Sequence, residues 1–301
     1  MNELLTPLPP GILQVKPFVP HTLEHLTEKR VFPSPLPELA YGKLLEEYAA
    51  LDDVTVMDMV YDSGGLKVTG IMALPKAATG KHPILIYNRG GSREYGKLTL
   101  LNVLRSMVPF ARAGYMVFAS NYRGNAGSEG QEEFGGADLA DVMHLLDIAR
   151  AHPAFDGQNA FMLGHSRGGM MTTLAIKAGA TLRAGVSIAG IADARKLVHS
   201  PGIVKNVYEV IVPGYREAQE RVLTARSALA WPEAISVPLL LLHGDNDKDV
   251  HHSDSLELQA AIVAAGGVAE VEVYPGGSHA LLRHWPQVLE RSLGWLERHR
   301  A

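Results

Sequence analysis

The 301-residue chain contains no cysteine, which excludes disulfides, thiolate metal sites and a cysteine nucleophile. It also has no excess of positive charge, because 28 lysines and arginines stand against 32 aspartates and glutamates, for a formal net charge of −4. A protein that binds nucleic acid through a general basic surface needs clustered positive charge to neutralise phosphates. We therefore expect no nucleic-acid partner.

Long hydrophobic runs are also missing. The longest purely aliphatic run, Leu239 to Leu242, is far too short to span a bilayer. The first residues lack the basic start and the apolar stretch of a signal peptide. With 47% hydrophobic and 20% charged residues, the composition is that of a globular protein. We expect a soluble, cytoplasmic protein without a membrane partner, and the sequence leaves its oligomeric state open.

Proline is concentrated at the start of the chain, where eight of the 18 prolines fall within the first 37 residues. Because proline fixes φ and removes a backbone donor, this part should run extended with only short helical pieces. We predict that residues 1–52 form an arm lying over the main domain, with one helix over Leu39 to Leu51. The domain itself is expected over residues 53–301.

From residue 53 onward the pattern changes to short apolar strands separated by amphipathic helices. A hairpin is predicted first, with strands Val54 to Tyr61 and Leu66 to Leu74 around a turn at Asp62 to Gly65. The later predicted strands are Pro83 to Tyr87, Tyr115 to Ser120, Ala160 to Leu163, Ala184 to Ala189, Val237 to Leu242 and Val268 to Tyr274. The predicted helices between and after them are Leu98 to Ala113, Ala137 to Ala151, Gly169 to Ala178, Ser253 to Ala265 and His284 to Arg300.

This alternation predicts an α/β fold with a mostly parallel central sheet and helices on both faces. It breaks over about residues 190–236, a stretch too long for an ordinary connection, and we predict that this insertion is a short helical lid.

One strand-to-helix turn has the pattern G-x-S-x-G, at Gly164-His165-Ser166-Arg167-Gly168. In such a turn the serine takes a strained backbone conformation, and glycines are needed because strand and helix approach closely. The serine hydroxyl is then exposed at a helix N-terminus, where developing negative charge is favoured. Ser166 is therefore a candidate nucleophile.

A serine nucleophile needs a base, and the base needs an orienting acid. An acidic loop with three competing aspartates, Asp245, Asp247 and Asp249, follows the strand that ends at Leu242. His279 lies in the loop after the strand that ends at Tyr274. Both loops are at carboxyl ends of strands, where α/β sheets bind ligands, and they follow Ser166 in the order acid, then histidine.

Together, four motifs resemble the catalytic domain of the prolyl oligopeptidase group of α/β-hydrolases, over roughly residues 53 to 300. They are Gly-His-Ser-Arg-Gly-Gly at 164–169, His-Gly-x-x-Asp-x-x-Val at 243–250, Gly-x-x-His at 276–279, and the loop 121–127 followed by Asp138 and Asp141. The resemblance implies the α/β-hydrolase fold, with Ser166 as nucleophile, Asp247 as acid and His279 as general base. It implies no metal and no cofactor. Only residues 1–52 precede the matched region, so the β-propeller usual in this group is not expected.

An oxyanion hole needs two hydrogen-bond donors. One is expected to be the N–H of Arg167, directly after the nucleophile. The other is expected from the turn Arg89, Gly90 and Gly91 after the third predicted strand, either from the backbone or from the Arg89 guanidinium. In the predicted lid, Tyr208 and Tyr215 either line an acyl or peptide pocket or pack the lid itself.

The predicted function is a serine hydrolase that cleaves a peptide, amide or ester bond through an acyl-enzyme, acting on a short peptide or a small ester. The resemblance favours a prolyl oligopeptidase-like serine peptidase. A carboxylesterase acting on small acyl esters is the alternative within this class. A hydrolase fold kept as a non-catalytic binding module is the alternative outside it.

Three further patterns suggest other sites. Residues 91–97 match the phosphate-binding pattern G-x-x-x-x-G-K, but Leu98 stands where serine or threonine is needed to hold Mg²⁺. Residues 21–25 match the zinc-protease pattern H-x-x-E-H, without an evident third ligand. Asp249, His251 and His252 are a further set of possible metal ligands. We therefore disfavour a nucleotide site at residues 91–97 and favour a surface helical turn at residues 21–25. We expect Asp249, His251 and His252 to lie at the rim of the active site or in solvent.

Overall fold

The computed structural model describes residues 5, 7–28, 38–76, 80–199 and 204–301. The chain divides into two compact units. One is formed by Met1–Gln131 with Ala140–Asn159, and the other by Glu132–Leu139 with Ala160–Ala301. Among the described residues, no helix combines the length and the hydropathy needed to cross a bilayer.

The first unit contains five strands in the spatial order β1-β2-β3-β5-β4. Their bounds are β1 Ile12–Pro17, β2 Val54–Ser63, β3 Leu66–Pro75, β4 His82–Asn88 and β5 Met116–Ser120. The first three form antiparallel pairs, β3 pairs antiparallel with β5, and β4 pairs parallel with β5. Buried aliphatic residues fill β4 and β5, as expected for strands that are covered on both faces.

The hairpin between β2 and β3 closes where the sequence predicts it. Gly64 and Gly65 both have positive φ, +62° and +91°, which a two-residue turn of this kind requires. The N–H of Gly65 donates to Oδ1 of Asp62 over 2.7 Å, and Ser63 is paired with Leu66.

The proline-rich arm contributes a strand that the sequence analysis did not predict. β1 pairs antiparallel with β2, with Lys16 opposite Asp58. A proline cannot donate to a strand ladder, and β1, which ends at Pro17, lies at the edge of the sheet, where proline is tolerated. A helix over Glu38–Ala49 lies where one is predicted.

The second unit contains most of β6 together with β7, β8 and β9, which all run parallel. Their bounds are β6 Phe155–His165, β7 Ala184–Ile188, β8 Leu239–Gly244 and β9 Ala269–Tyr274. Every residue of β7 and β8 is buried, which explains why these strands are apolar throughout instead of alternating.

Helices account for most of the remaining described structure. The longer ones are Leu139–Arg150, Arg167–Lys177, Ser253–Ala264 and Trp285–Arg298. The shorter helical segments outside residues 190–236 are Leu23–Glu28, Leu100–Asn102, the π-helical Val103–Met107, Val108–Arg112 and Leu282–His284. The single helix predicted over Leu98 to Ala113 is thus interrupted, because Pro109 has no N–H to continue the regular ladder.

The segment predicted as a lid, residues 190–236, consists of short helical pieces. They are Lys196–His199, Val204–Tyr208, Glu209–Ile211, Gln219–Ala225, Ala228–Ala230 and Pro232–Ala234. The Arg226 guanidinium ties the segment to the carbonyl oxygens of Glu133 and Phe134, over 3.0 and 2.9 Å. Movement of this segment as a lid stays a prediction.

Candidate active site

Ser166 occupies the turn between β6 and the helix Arg167–Lys177, in a strained backbone conformation with φ +58° and ψ −122°. The turn is so tight that a Cβ on Gly164 would lie 2.0 Å from the carbonyl oxygen of Gly168, and one on Gly169 would lie 2.3 Å from Oγ of Ser187. These contacts explain why glycine stands on both sides of the serine. A non-glycine residue at positive φ is strained, and such residues cluster at functional sites.

Asp247 and His279 are joined by a hydrogen bond, in which Nδ1–H of His279 donates to Oδ2 of Asp247 over 2.8 Å. The Asp247 side chain is fully buried, whereas that of His279 is 21% exposed. With Nδ1 engaged, the ring presents Nε2 as the nitrogen that can take up a proton. The pair therefore has the arrangement of an acid that orients a general base.

The two other aspartates of the acidic loop have different surroundings. Oδ1 of Asp245 accepts the N–H of Gly276 over 2.6 Å and so braces the histidine loop. Asp249 is exposed, and its own N–H donates to Asp247. Of the three, Asp247 holds the imidazole.

His165 links the serine turn to the histidine loop. Its ring packs against the ring of His279 with a centroid distance of 5.0 Å, and its Nε2–H donates to the carbonyl oxygen of His279 over 2.9 Å. Because His165 directly precedes Ser166, these contacts hold the strained serine beside the loop that carries His279. The sequence analysis did not single out His165.

His243 is a second histidine on Asp247 that sequence reasoning missed. It is completely buried, and its Nε2–H faces Oδ2 of Asp247 at 3.1 Å and the carbonyl oxygen of Val250 at 3.0 Å. Its Nδ1 lies 2.7 Å from Oγ of Ser255 and accepts that hydroxyl proton. The signal was available in the spacing, since His243 lies near the end of β8 and precedes Asp247 by four residues.

The carboxylate of Asp247 accepts hydrogen bonds on both oxygens. Oδ1 accepts the N–H groups of Asp249 and Val250 over 2.8 and 3.0 Å, while Oδ2 accepts His243 and His279. Burial by itself would raise the pKa of Asp247, but the hydrogen bonds from the two histidines hold this pKa well below its usual range. The acid is therefore a carboxylate at neutral pH, as an imidazolium partner requires.

The side chain of Arg167 is buried in a charged cluster behind the serine turn. It forms ion pairs with Glu132 and Asp138, and its guanidinium stacks on the Phe134 ring at 4.7 Å. Burial would raise the pKa of Asp138, but the positive charge of Arg167 lowers it below the ordinary value. This cluster fixes the first residue of the helix, whose backbone N–H is the predicted oxyanion donor.

The turn predicted to supply the second oxyanion donor lies in the first unit. The Arg89 guanidinium is buried and donates to the carbonyl oxygens of Asn121 and Gly90, with its closest contacts at 2.8 and 2.9 Å. It also stacks on the Tyr122 ring. These bonds use the N–H groups of the guanidinium. The candidates for the oxyanion donor that remain in this turn are therefore its backbone N–H groups. A Cβ on Gly91 would lie 2.3 Å from the carbonyl oxygen of Tyr95, so the turn requires glycine there.

Tyr208 and Tyr215 lie in a packed aromatic cluster of the second unit. Their rings stack at 5.2 Å, Tyr208 meets Phe134 edge-on at 5.8 Å, and both tyrosines are buried. Burial raises the pKa of Tyr208. This is the packing alternative of the sequence analysis, and a contact with substrate stays a prediction for both residues.

Two of the suggested metal ligands, His25 and His251, have other partners. Nε2 of His25 lies 2.9 Å from Nζ of Lys97, and Nδ1 of His251 lies 2.9 Å from Oγ of Ser253. In the described part of the chain, the one group of three side chains with ligand atoms close enough for an ion is Asp247, Asp249 and His279. An ion bound there would have to displace the hydrogen bond that orients His279.

Comparisons with known proteins identify the family of this chain. The sequence model described as the prolyl oligopeptidase family matches residues 102–301. An uncharacterized peptidase of Bacillus subtilis, YtmA, is 30% identical over 235 residues, covering 77% of this chain and 84% of the relative.

Solved structures share the fold. The uncomplexed acylaminoacyl peptidase of Pyrococcus horikoshii superposes with a TM-score of 0.70 at 22% identity, covering 86% of this chain and 43% of that one. A puromycin-hydrolyzing peptidase of Mycobacterium tuberculosis has a TM-score of 0.66 at 23% identity, covering 78% and 38%. The chain thus spans less than half the length of these solved relatives and has the α/β-hydrolase fold.

Proposed function

Because the chain belongs to the prolyl oligopeptidase family and is a serine hydrolase of that family, we propose that it cleaves short peptides through an acyl-enzyme on Ser166. The observation that carries the proposal is the buried Asp247–His279 hydrogen bond, held by His165 beside a strained serine turn. In this proposal Ser166 is the nucleophile, His279 the general base and Asp247 the acid that orients it.

The reaction proceeds in two halves. Oγ of Ser166 forms a bond to the scissile carbonyl carbon while its proton moves to Nε2 of His279. The tetrahedral intermediate collapses, the carbon–nitrogen bond breaks, and the imidazolium gives its proton to the leaving amine. Water then attacks the acyl-enzyme with His279 again as base, which releases the acid product and restores the Ser166 hydroxyl. Asp247, which is a carboxylate at neutral pH, stabilises the imidazolium in both halves.

Developing negative charge on the substrate oxygen needs two donors. We assign one to the N–H of Arg167, at the start of a helix whose dipole favours negative charge there. The backbone of the Arg89–Gly91 turn is proposed as the source of the other. The buried ion pairs of Arg167 support the first assignment because they fix the residue that carries the donor.

The substrate class rests on the relatives. They include an acylaminoacyl peptidase and a puromycin-hydrolyzing peptidase, whose names indicate cleavage next to an acyl group or of an aminoacyl compound. We therefore propose an amide bond of a short peptide or aminoacyl compound as the natural target. Ester cleavage through the same acyl-enzyme is the alternative. The rates of hydrolysis of an aminoacyl anilide and a p-nitrophenyl ester decide between the two.

The first prediction concerns Ser166→Ala. Loss of the nucleophile should lower kcat/KM on an aminoacyl anilide by about 10⁴-fold or more and abolish labelling by a fluorophosphonate, because both need a covalent bond to Oγ. Steady-state kinetics and mass spectrometry measure the two effects. The matched control is Ser128→Ala in the similar stretch Ala126–Gly130, which should keep both activities.

Two results would contradict the proposal. Absence of fluorophosphonate labelling in the folded wild-type chain would favour a non-catalytic binding module. Rapid turnover of p-nitrophenyl esters without measurable turnover of any aminoacyl anilide would favour a carboxylesterase.

A further inference from the structure

Two sequence patterns that the proposed function does not use meet at one cavity of the first unit. The His21–His25 pattern and the end of the 91–97 pattern both reach it, through His21 and Lys97. The cavity has a volume of about 350 Å³, large enough for a small organic molecule. Its polar wall also includes Asp58 and Lys16, and its apolar wall includes Met59 and Ile71.

Lys97 places a buried positive charge on this wall. Its side chain is 4% exposed, and its ammonium group donates to Oε2 of Glu94 over 3.0 Å and to Nε2 of His25 over 2.9 Å. The other oxygen of Glu94 accepts the N–H of Ala126. An ammonium group has three N–H donors, and two of them are used by these described residues. Lys97 also lines the cavity.

His21 adds an unsatisfied polar atom. Its Nδ1 is buried and has no hydrogen-bond partner among the described residues, and its ring packs against that of His25 at 5.0 Å. Burial, followed by the positive charge of Lys97, lowers the pKa of His21, so the ring is neutral at pH 7. A buried polar atom without a partner costs free energy that a bound polar ligand would recover.

Asp58 supplies the opposite charge. It is partly buried, and its carboxylate lies 3.9 Å from Nζ of Lys16, a side chain that is 64% exposed and therefore contributes only a weak ion pair. The positive charge of Lys97 is balanced by Glu94, and that of Lys16 is balanced by Asp58, so these four groups have no net charge. The cavity thus favours neither a plain anion nor a plain cation, but a molecule that carries both charges and an apolar body.

We propose that this cavity binds a free α-amino acid with an apolar side chain. The carboxylate is held by Lys97 and His21, the ammonium group by Asp58, and the side chain lies on the apolar wall. The site uses none of Ser166, Asp247 and His279, so it does not depend on the proposed function.

The test is calorimetric titration of the full chain with L-leucine. We expect a dissociation constant on the order of 1 mM, typical of a ligand with so few atoms. Two analogues each lack one charge: 3-methylbutylamine has no carboxylate, and 4-methylpentanoate has no ammonium group. Both should bind the wild-type chain at least about ten-fold more weakly, because each leaves one charged group of the cavity without its partner.

Variants locate the binding. Lys97→Met and Asp58→Asn should each weaken L-leucine binding by about ten-fold or more, while Lys43→Met, which removes an exposed lysine outside the cavity, should leave it unchanged. Circular dichroism checks that each variant folds. If Lys97→Met does not fold, the two analogues test the proposed site on the wild-type chain.

Three outcomes would overturn the proposal. The first is no binding of L-leucine at roughly 50 mM, and the second is an analogue that binds as tightly as L-leucine. The third is L-leucine binding that Lys97→Met and Asp58→Asn leave intact but that fluorophosphonate labelling of Ser166 abolishes. The last result would place the amino acid at the hydrolytic site.

Discussion

At the scale of single residues, the carboxylate of Asp247 accepts four hydrogen bonds, two from backbone N–H groups and two from histidines. Its two oxygens are therefore fixed in direction, and only one orientation of His279 keeps its 2.8 Å bond. His243 contributes to this order without facing the substrate. Its position between Ser255 and Asp247 makes it a positioning residue in our interpretation.

A prediction at this scale concerns His243. His243→Phe removes the donor to Asp247, and we expect kcat to fall by about 10-fold to 100-fold with KM little changed, because the orientation of the base matters in the transition state and not in substrate binding. His243→Gln keeps an N–H at the position of Nε2 and should restore most of kcat. Steady-state kinetics on an aminoacyl anilide measures both.

A merely structural histidine would give a different result. Equal losses in the Phe and Gln variants, or a rise in KM at unchanged kcat, would contradict a positioning role. Thermal unfolding of both variants serves as the control for stability.

At the scale of elements, the site is produced by strand ends and the tight turns that follow them. β6, β8 and β9 each end at a loop that carries one candidate catalytic residue. The turn at Ser166 is the tightest of these, because a Cβ on Gly164 would lie only 2.0 Å from the carbonyl oxygen of Gly168. The serine strain is thus imposed by the packing of a strand against a helix.

A prediction at the scale of elements concerns two glycines. Gly164→Ala would place a Cβ 2.0 Å from a backbone oxygen, and we expect a loss of about 3 kcal/mol in the free energy of unfolding together with loss of fluorophosphonate labelling. Gly294→Ala is the matched control, because nothing lies within 4 Å of its Cβ in the helix Trp285–Arg298. It should raise stability by about 0.5 to 1 kcal/mol and leave labelling intact. Urea unfolding measures both changes, and an unchanged midpoint for Gly164→Ala would contradict the account of the turn.

Several elements were predictable from the sequence because their signal is local. β7 and β8 are apolar throughout and bounded by turn residues, and the Asp62–Gly65 turn has the glycines that its positive φ values need. β1 was not predictable, since its residues become a strand only by pairing with β2. The same holds for the π-helical turn Val103–Met107, which depends on how the chain accommodates a proline.

At the scale of the whole molecule, the free energy of unfolding should depend on pH, because some carboxylates are buried and ionised. The pKa values of Asp138 and Asp247 are both lower in the folded chain than the ordinary value of 3.8. A carboxyl group of this kind contributes stability that is fully present above its unfolded pKa and is lost as the pH falls through its folded pKa. We therefore expect the contribution of these two carboxylates to the free energy of unfolding to be nearly constant from pH 7 to about pH 5 and to fall below about pH 4.

Asp138→Asn tests this account. Loss of one partner of buried Arg167 should cost about 3 to 5 kcal/mol at pH 7, and the remaining fall with acid should be shallower than in the wild-type chain. Glu46→Gln, which changes an exposed carboxylate, is the control and should leave both quantities unchanged. Urea unfolding at a series of pH values measures them. An acid dependence in Asp138→Asn as steep as that of the wild-type chain would contradict the assignment.

The sequence by itself determined the α/β character of the chain and the family to which it belongs, because strand hydrophobicity, turn glycines and short motifs are properties of neighbouring residues. It also pointed to Ser166, Asp247 and His279 as candidates, through their places after successive strands. What only the tertiary structure decided were the contacts between distant residues: His243 and His165 around the candidate pair, Glu132 and Asp138 on Arg167, and the carbonyl oxygens on the Arg89 guanidinium. The reason is physical, since a buried polar group takes its protonation state and its direction from whichever partners the fold brings within hydrogen-bonding distance, and those partners leave no pattern in the local sequence.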